Sequence, residues 1–247
     1  MTGRKVLLVL VLVVFAAGWS FAQTDSDRSP NNTITIDIGP TIVGAAIGGI
    51  GNAIGEPGVS SSGFGIAAQY ERQIMEKLSV AGRFAYLGGG IGFADETVEQ
   101  GVKVKTVASI NLSSFSLESH VRFYPGDTFF LDGMLGYANL TTNASGEFNV
   151  NVEGHREKET ASLKATRSYL KLGAKIGWRI DFGKPGGFIF EPSFGYYGGI
   201  GLGDTLGKRL SKEIGGEISE LDPIFVILEQ VVFVGGPRLA LSFGWKF

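Results

Sequence analysis

The sequence predicts an all-β protein, an eight-stranded antiparallel transmembrane up-and-down β-barrel with short turns at one end and long loops at the other. Three observations predict it: hydrophobic residues alternate with period two in eight segments, tight and long connections alternate between them, and the chain opens on an export pattern. Composition removes other classes. Among 247 residues there are 38 glycines, 18 phenylalanines and no cysteine, and 19% are charged. Without cysteine there are no disulfides, thiolate metal sites, catalytic thiols or lipidated cysteine. Two histidines leave little for a metal centre, and a formal charge of −2 builds no field that would gather nucleic acid. Beyond the N-terminus no run reaches the roughly 18–20 apolar residues of a spanning helix.

Arg4 and Lys5 precede an apolar stretch over residues 6–17, and Ser20-Phe21-Ala22 supplies small residues where a signal peptidase reads. Residues 1–22 are thus expected as a signal peptide, 23–32 as a short periplasmic segment and 33–247 as the barrel. The first strand alternates Ile34, Ile36 and Ile38 with Thr35 and Asp37; the second runs over 64–71, the third over 80–86, the fourth over 115–123 and the fifth over 129–137. The sixth is the clearest, with Leu170, Leu172, Ala174, Ile176, Trp178, Ile180 and Phe182 opposite Lys171, Lys175, Arg179 and Asp181. The seventh covers 188–197 and the eighth 238–247. Successive side chains on a strand point to opposite faces, so each segment has one apolar face and one polar or small face.

Alternation alone also fits a soluble barrel with its apolar face inward. The opposite sense is favoured by three features. The polar face mixes charges with glycine, as a narrow filled lumen does. The links at 75–77, 124–127 and 183–187 are tight while the other four are long, and aromatics (Phe123, Tyr124, Phe129, Phe182, Phe188) crowd the tight ones like an interfacial girdle. Closure follows because an unpaired edge in lipid costs several kcal/mol per backbone group.

The last ten residues, RLALSFGWKF, end on Phe247 with Phe243 and Trp245 at alternate positions. This strand resembles the C-terminal signature of bacterial outer-membrane barrels, and the eight-strand layout resembles the small barrels of the OmpA membrane-domain and OmpW types. The resemblance implies a bacterial outer-membrane location and makes Phe243, Trp245 and Phe247 an assembly signal. The partners it implies are outer-membrane lipids, the barrel-assembly machinery and periplasmic chaperones.

Strand parity turns Asp37, Glu71, Glu118, Asp132, Asp181 and Glu191 inward, against Arg83, Arg122, Lys171, Lys175, Arg179, Arg238 and Lys246. An eight-stranded barrel is just wide enough for its side chains to fill, so these groups are expected to form a lumen ion-pair network. The same groups could instead form a charged constriction that passes small solutes. Ser116, Glu118 and His120 share a face, but i and i+2 side chains stand roughly 7 Å apart, too far for a relay. His155 lies in a charged loop tip. No catalytic residue, metal or cofactor is expected.

Three loops depart from plain polarity. The first, residues 44–55, is apolar and glycine-spaced. The third continues its strands upward through Phe148, Val150 and Val152 as a protruding hairpin, and in the fourth Leu206, Leu210, Ile214, Ile218 and Leu221 recur at helical spacing. Residues 223–234, between Asp222-Pro223 and Gly235-Gly236-Pro237, fit a short helix and the upper part of the last strand equally well. Ile47, Ile50 and Ile54 are expected to meet Phe225, Val232 and Phe233 in an apolar cap. The expected function is non-enzymatic, a monomeric barrel with a narrow passage for small or hydrophobic molecules. The alternative is a surface barrel whose loops engage a host ligand; an outer-membrane lipid hydrolase is the third reading.

Overall fold

The computed structural model describes residues 32–99, 102–152, 155–182, 187–209 and 236–247. The expected signal peptide lies outside them, as do the alternatives for 223–234. The described elements are β1 (Asn32–Asp37), α1 (Gly39–Ile54), β2 (Val59–Met75), β3 (Leu78–Glu99), β4 (Val102–Phe123), β5 (Phe129–Val152), β6 (His155–Trp178), β7 (Ile180–Phe182), β8 (Phe188–Leu202) and β9 (Gly236–Lys246). All pairings are antiparallel. The ring runs β1-β2-β3-β4-β5-β6-β8-β9 and closes through β9 on β1. The closing seam ends on two backbone bonds of 2.9 Å between Asn32 and Phe247.

Eight staves form the wall. The sixth is split, because the strand expected over 170–182 breaks at Arg179, whose backbone N–H donates to the carbonyl of Thr128 at 2.7 Å. β7 continues its line beyond the break and pairs with β8. The alternation is visible in the wall: Ala67, Gln69 and Glu71 are buried inside β2, while Phe64 and Ile66 lie on its outer surface. Ile34, Phe84, Leu117, Leu135, Ile176, Phe194 and Leu241 continue this apolar band around the barrel. On β4 the band covers residues 115–123, close to the roughly 9–11 residues that cross a bilayer.

Four strands greatly outrun that band. β3 and β4 have 22 residues each and β5 and β6 have 24. Their registers continue unbroken to Glu99↔Val102 and Val152↔His155. The connections expected as long loops over 87–114 and 138–169 are therefore mostly strand. His155 opens β6 instead of sitting in a loop.

The apolar first loop is a helix. Gly39 N–H donates to Asp37 Oδ1 at 2.8 Å, satisfying one of the first-turn donors, and Pro40 suits that turn. α1 lies on the inward face of β2, held by Thr41 Oγ1 donating to the Gly65 carbonyl at 2.7 Å and Ser61 Oγ donating to the Gly48 carbonyl at 2.6 Å. The approach is so close that a Cβ on Gly63 would stand 1.9 Å from the Gly44 carbonyl oxygen. Glycine spacing, which reads as loop, here serves helix-to-strand contact.

Candidate functional site

The lumen near the short turns is filled by charge. At its centre Arg122, on β4, donates through Nε to Asp132 Oδ2 (2.6 Å) and through Nη1 to Glu71 Oε2 (2.6 Å) and Glu191 Oε2 (2.9 Å). Arg179 reaches the same two glutamates, at 2.8 Å from Glu71 Oε2 and 2.5 Å from Glu191 Oε1. Ser79 Oγ and Tyr124 Oη each donate to Glu71 Oε1 at 2.7 Å. Arg122 and Arg179 stack over Phe130 and Tyr124.

A second group lies nearer mid-barrel. Arg83 bridges Asp37 Oδ2 (2.8 Å) and Glu118 Oε2 (2.7 Å), while Glu118 Oε1 accepts from Lys171 Nζ (2.5 Å) and Ser116 Oγ (2.8 Å). His120 joins the groups: Nδ1 lies 2.7 Å from Asp132 Oδ1, and Nε2 stands 3.5 Å from Glu118 Oε2 without a hydrogen bond. Lys175 Nζ is 3.4 Å from Asp132 Oδ2. Every member of this array except Arg179 is buried. Side chains from β1, β2, β3, β4, β5, β6 and β8 thus meet in one cross-section. Such an array costs desolvation on every ion, offset by close pairing and filled hydrogen-bond valences.

Three predicted members, Asp181, Lys246 and Arg238, stand apart. Asp181 lies on β7, beyond the break at Arg179, and its side chain is 45% exposed; it faces Lys246 at 3.6 Å on the rim. Strand parity places it inside only if the sixth strand is continuous, which it is not. Arg238 is half-buried and stacks over Tyr197, 5.2 Å from the ring centre, with no carboxylate partner among the described residues. Ser79 joins the array as well, and so does Tyr124, expected in the interfacial girdle but pointing into the lumen. Both continue the inward parity of their strands, Ser79 with Ala81 and Arg83, Tyr124 with His120 and Arg122.

Ser116, Glu118 and His120, expected to stand too far apart to interact, come closer than that: Ser116 and Glu118 bond directly. Long side chains lean along the strand, so their tips meet where their Cβ atoms do not. The order is nonetheless wrong for a nucleophile and base: the Ser116 hydroxyl faces a carboxylate already held by two cations.

Above the charged array an apolar cluster forms, with Arg167 and Thr142 buried beside it. Ala138, Leu140, Ala165, Tyr169 and Leu206 form a buried cluster, and Ile47 of α1, Leu87, Leu112 and Leu163 pack against it. Of the predicted cap, Ile47 takes part; Ile50 and Ile54 lie on α1; Phe225, Val232 and Phe233 lie outside the described residues. Between charged array and apolar cluster is a cavity of about 600 Å3, bounded by Arg83, Ser116, Lys175, Tyr197 and Arg238 and by the start of α1. Phe243 and Trp245 point outward on β9, and the Phe243 ring stacks on Phe190 at 5.0 Å. Phe247 is on the outer surface at the closing seam.

No curated protein matches the sequence. Among solved structures the chain is similar to Ail, the attachment invasion locus protein of Yersinia pestis, at 12% identity and a TM-score of 0.41, covering 89% of this chain and 100% of that one. Ail in complex with the heparin analogue sucrose octasulfate gives 14%, 0.40, 89% and 100%. CarO2 of Acinetobacter baumannii gives 12%, 0.30, 88% and 97%. Residues 43–198, from α1 into β8, match the autotransporter beta-domain family. That match spans more than half of a chain that closes into an apolar-banded barrel, and the chain belongs to the autotransporter beta-domain family of bacterial outer-membrane proteins.

Proposed function

We propose that the protein is a non-enzymatic display barrel, anchored by its apolar band and presenting the projecting β3–β6 sheet to a ligand on a host or neighbouring cell. One observation carries this reading: the β4–β5 and β5–β6 ladders run on for about a dozen residues past the band, on the order of 40 Å of strand. The outer surface of that sheet is an ordered polar array. Ser109 and Ser145 bond at 2.8 Å and Thr141 and Thr166 at 3.1 Å. Lys103, Lys105, Lys158 and Lys164 stand among them on the same surface by register. Paired strands hold such groups in fixed rows, which a flexible loop would have to order on binding.

A narrow passage for small or hydrophobic molecules, with the apolar mouth of the OmpW type, has less support. Arg122, Glu118, Glu191 and Lys171 are among the most fully buried side chains of the molecule and occupy the path along the axis. Non-enzymatic action is supported by the Ser116–Glu118 pairing. The test is excision of residues 144–163, which shortens the β5–β6 hairpin above the band. The barrel should still assemble and migrate as a heat-modifiable species, and adherence of bacteria displaying it to cultured host cells should fall about tenfold or more, as loss of a binding hot spot does. Unchanged adherence by the correctly assembled variant refutes display.

A further inference from the structure

Among the described residues the wall of the barrel is interrupted on one side. β1 stops at Asp37, paired with Ala67 on one side and Ser242 on the other, and Ile38 N–H adds a last bond to the Leu241 carbonyl at 3.1 Å. Its neighbours go further: β2 continues up to Val59 and β9 to Gly236. Among the described residues no strand stands between these two edges; α1 packs on β2 and β3 and touches β9 where it begins, at Gly39. The interruption lies within the membrane. Leu239 pairs with Phe194, which pairs with Ile176, all in the apolar band. Backbone freed from a ladder at that depth needs another protein partner or a cavity to line, and on the β2 edge the Gly65 carbonyl accepts from Thr41 Oγ1 of α1. The 600 Å3 cavity reaches from Arg83 and Tyr197 in the lumen out to Ile42, Val43 and Leu239. Ile42 and Leu239 are 57% and 78% exposed on its outer lip.

The charge of the cavity is unbalanced. Of the three cations that line it, Arg83 is paired with Asp37 and Glu118 and Lys175 with Asp132, which leaves Arg238 as the one without a carboxylate among the described residues. Both Asp37 oxygens are engaged, by Arg83 and by the Gly39 N–H. Among the described residues Arg238 meets the Tyr197 ring and no carboxylate. A cationic, half-buried inner end and an apolar outer end open to lipid fit a molecule with one anionic head and one chain.

We propose that this cavity binds a single-chain anionic amphiphile, a long-chain carboxylate, which enters sideways from the membrane with its head on Arg238 and its chain leaving between Ile42 and Leu239. The site is independent of the projecting sheet, so it stands or falls apart from the display function. The test uses the full chain in phosphatidylcholine vesicles, with spin-labelled stearate as probe and palmitate as competitor. An immobilised spectrum displaced by palmitate is expected. The methyl ester should bind about tenfold more weakly, as should the acid to Arg238→Ala, whereas Arg238→Lys should restore most of the affinity. Leu239→Trp, which leaves every cation in place, should block entry by filling the gap. Heat-modifiable migration verifies assembly of each variant. Equal binding of acid and ester, or full affinity in an assembled Arg238→Ala barrel, overturns the proposal. So does competition by acetate as strong as by palmitate, which would mark a site for small anions.

Discussion

Near the short turns the barrel closes by charge, and toward the long strands it closes by insertion. In the first region side chains from seven elements converge on Arg122, Glu118 and Asp132, each ion held at hydrogen-bond distance by others. In the second a helix folds inward and brings Ile47 against Leu87, Leu112 and the Leu140 cluster. The lumen of an eight-stranded barrel must be filled either way. The two solutions differ in what they tolerate. The ion-pair array fixes one register, because shifting a strand by one residue turns its charges into lipid. The apolar filling depends on how near a backbone can approach, and so on hydrogens where other residues have side chains. It also leaves a space below the helix, which charge does not leave around Arg122.

Arg122→Ala should have the largest effect. It strips Glu71, Glu191 and Asp132 of a shared cation while leaving them buried, a loss of about 3–5 kcal/mol when one partner of a buried pair is removed. Urea unfolding of the barrel in vesicles measures it. If Arg122→Ala unfolds within about 1 kcal/mol of the parent, the array contributes specificity and little stability.

Gly44→Val attacks the other filling. A Cβ there would lie 2.6 Å from the Phe64 carbonyl carbon, so the helix must move off β2. The expected loss is about 1–3 kcal/mol from overpacking, smaller than for Arg122 because a helix that ends in connections can shift. The sharper signature is spatial. Amide exchange should speed up in α1 and in the part of β2 beneath it and stay unchanged around Glu71 and Arg122. Uniform acceleration through both regions would show that the two fillings are one cooperative unit.

The charged filling was legible because it obeys strand parity, and parity needs only the alternation of Leu172, Ile176 and Trp178 with Lys171 and Lys175. It fails at Asp181, where the strand breaks, and the break depends on Arg179 turning toward glutamates remote in sequence. The apolar filling was legible in chemistry but not in form. Residues 44–55 announce burial by their isoleucines, while their glycines, poor helix formers, argue against a helix. What reverses that preference is the inward face of β2, where Gly63 and Gly65 offer a smooth surface, a tertiary fact that no local pattern contains. The upward run of β5 and β6 was legible in the alternation of Phe148, Val150 and Val152, whereas that of β3 and β4 was missed because glycines at 88–90 read as loop, although Val102, Lys103, Val104 and Lys105 already alternate.

The smallest expected effect lies beyond both fillings, on the projecting hairpin, where pairing is exposed to water. Glu147 accepts from Asn149 Nδ2 at 2.7 Å and pairs with Lys158 Nζ at 2.8 Å. The Asn149 amide first, and then the Lys158 ammonium, hold its carboxyl below the ordinary value of 4.5. A group whose pKa is depressed by folding stabilises the folded form above its unfolded pKa, and that contribution disappears as pH falls through the folded value. The hairpin tip should therefore loosen only below pH 4.5, seen as faster amide exchange around residues 147–149 and 158–160 after correction for the intrinsic rate. Salt should weaken the same contacts at neutral pH, since exposed pairs are screened. In Glu147→Gln the acid-dependent loosening should vanish while the Asn149 contact persists through the amide oxygen. Exchange around Arg122 provides the comparison over the same interval, since it should not follow a tip that loosens by itself. If tip and array loosen together as pH falls, the display hairpin is not an independent unit, and its fixed rows owe their order to the lumen below.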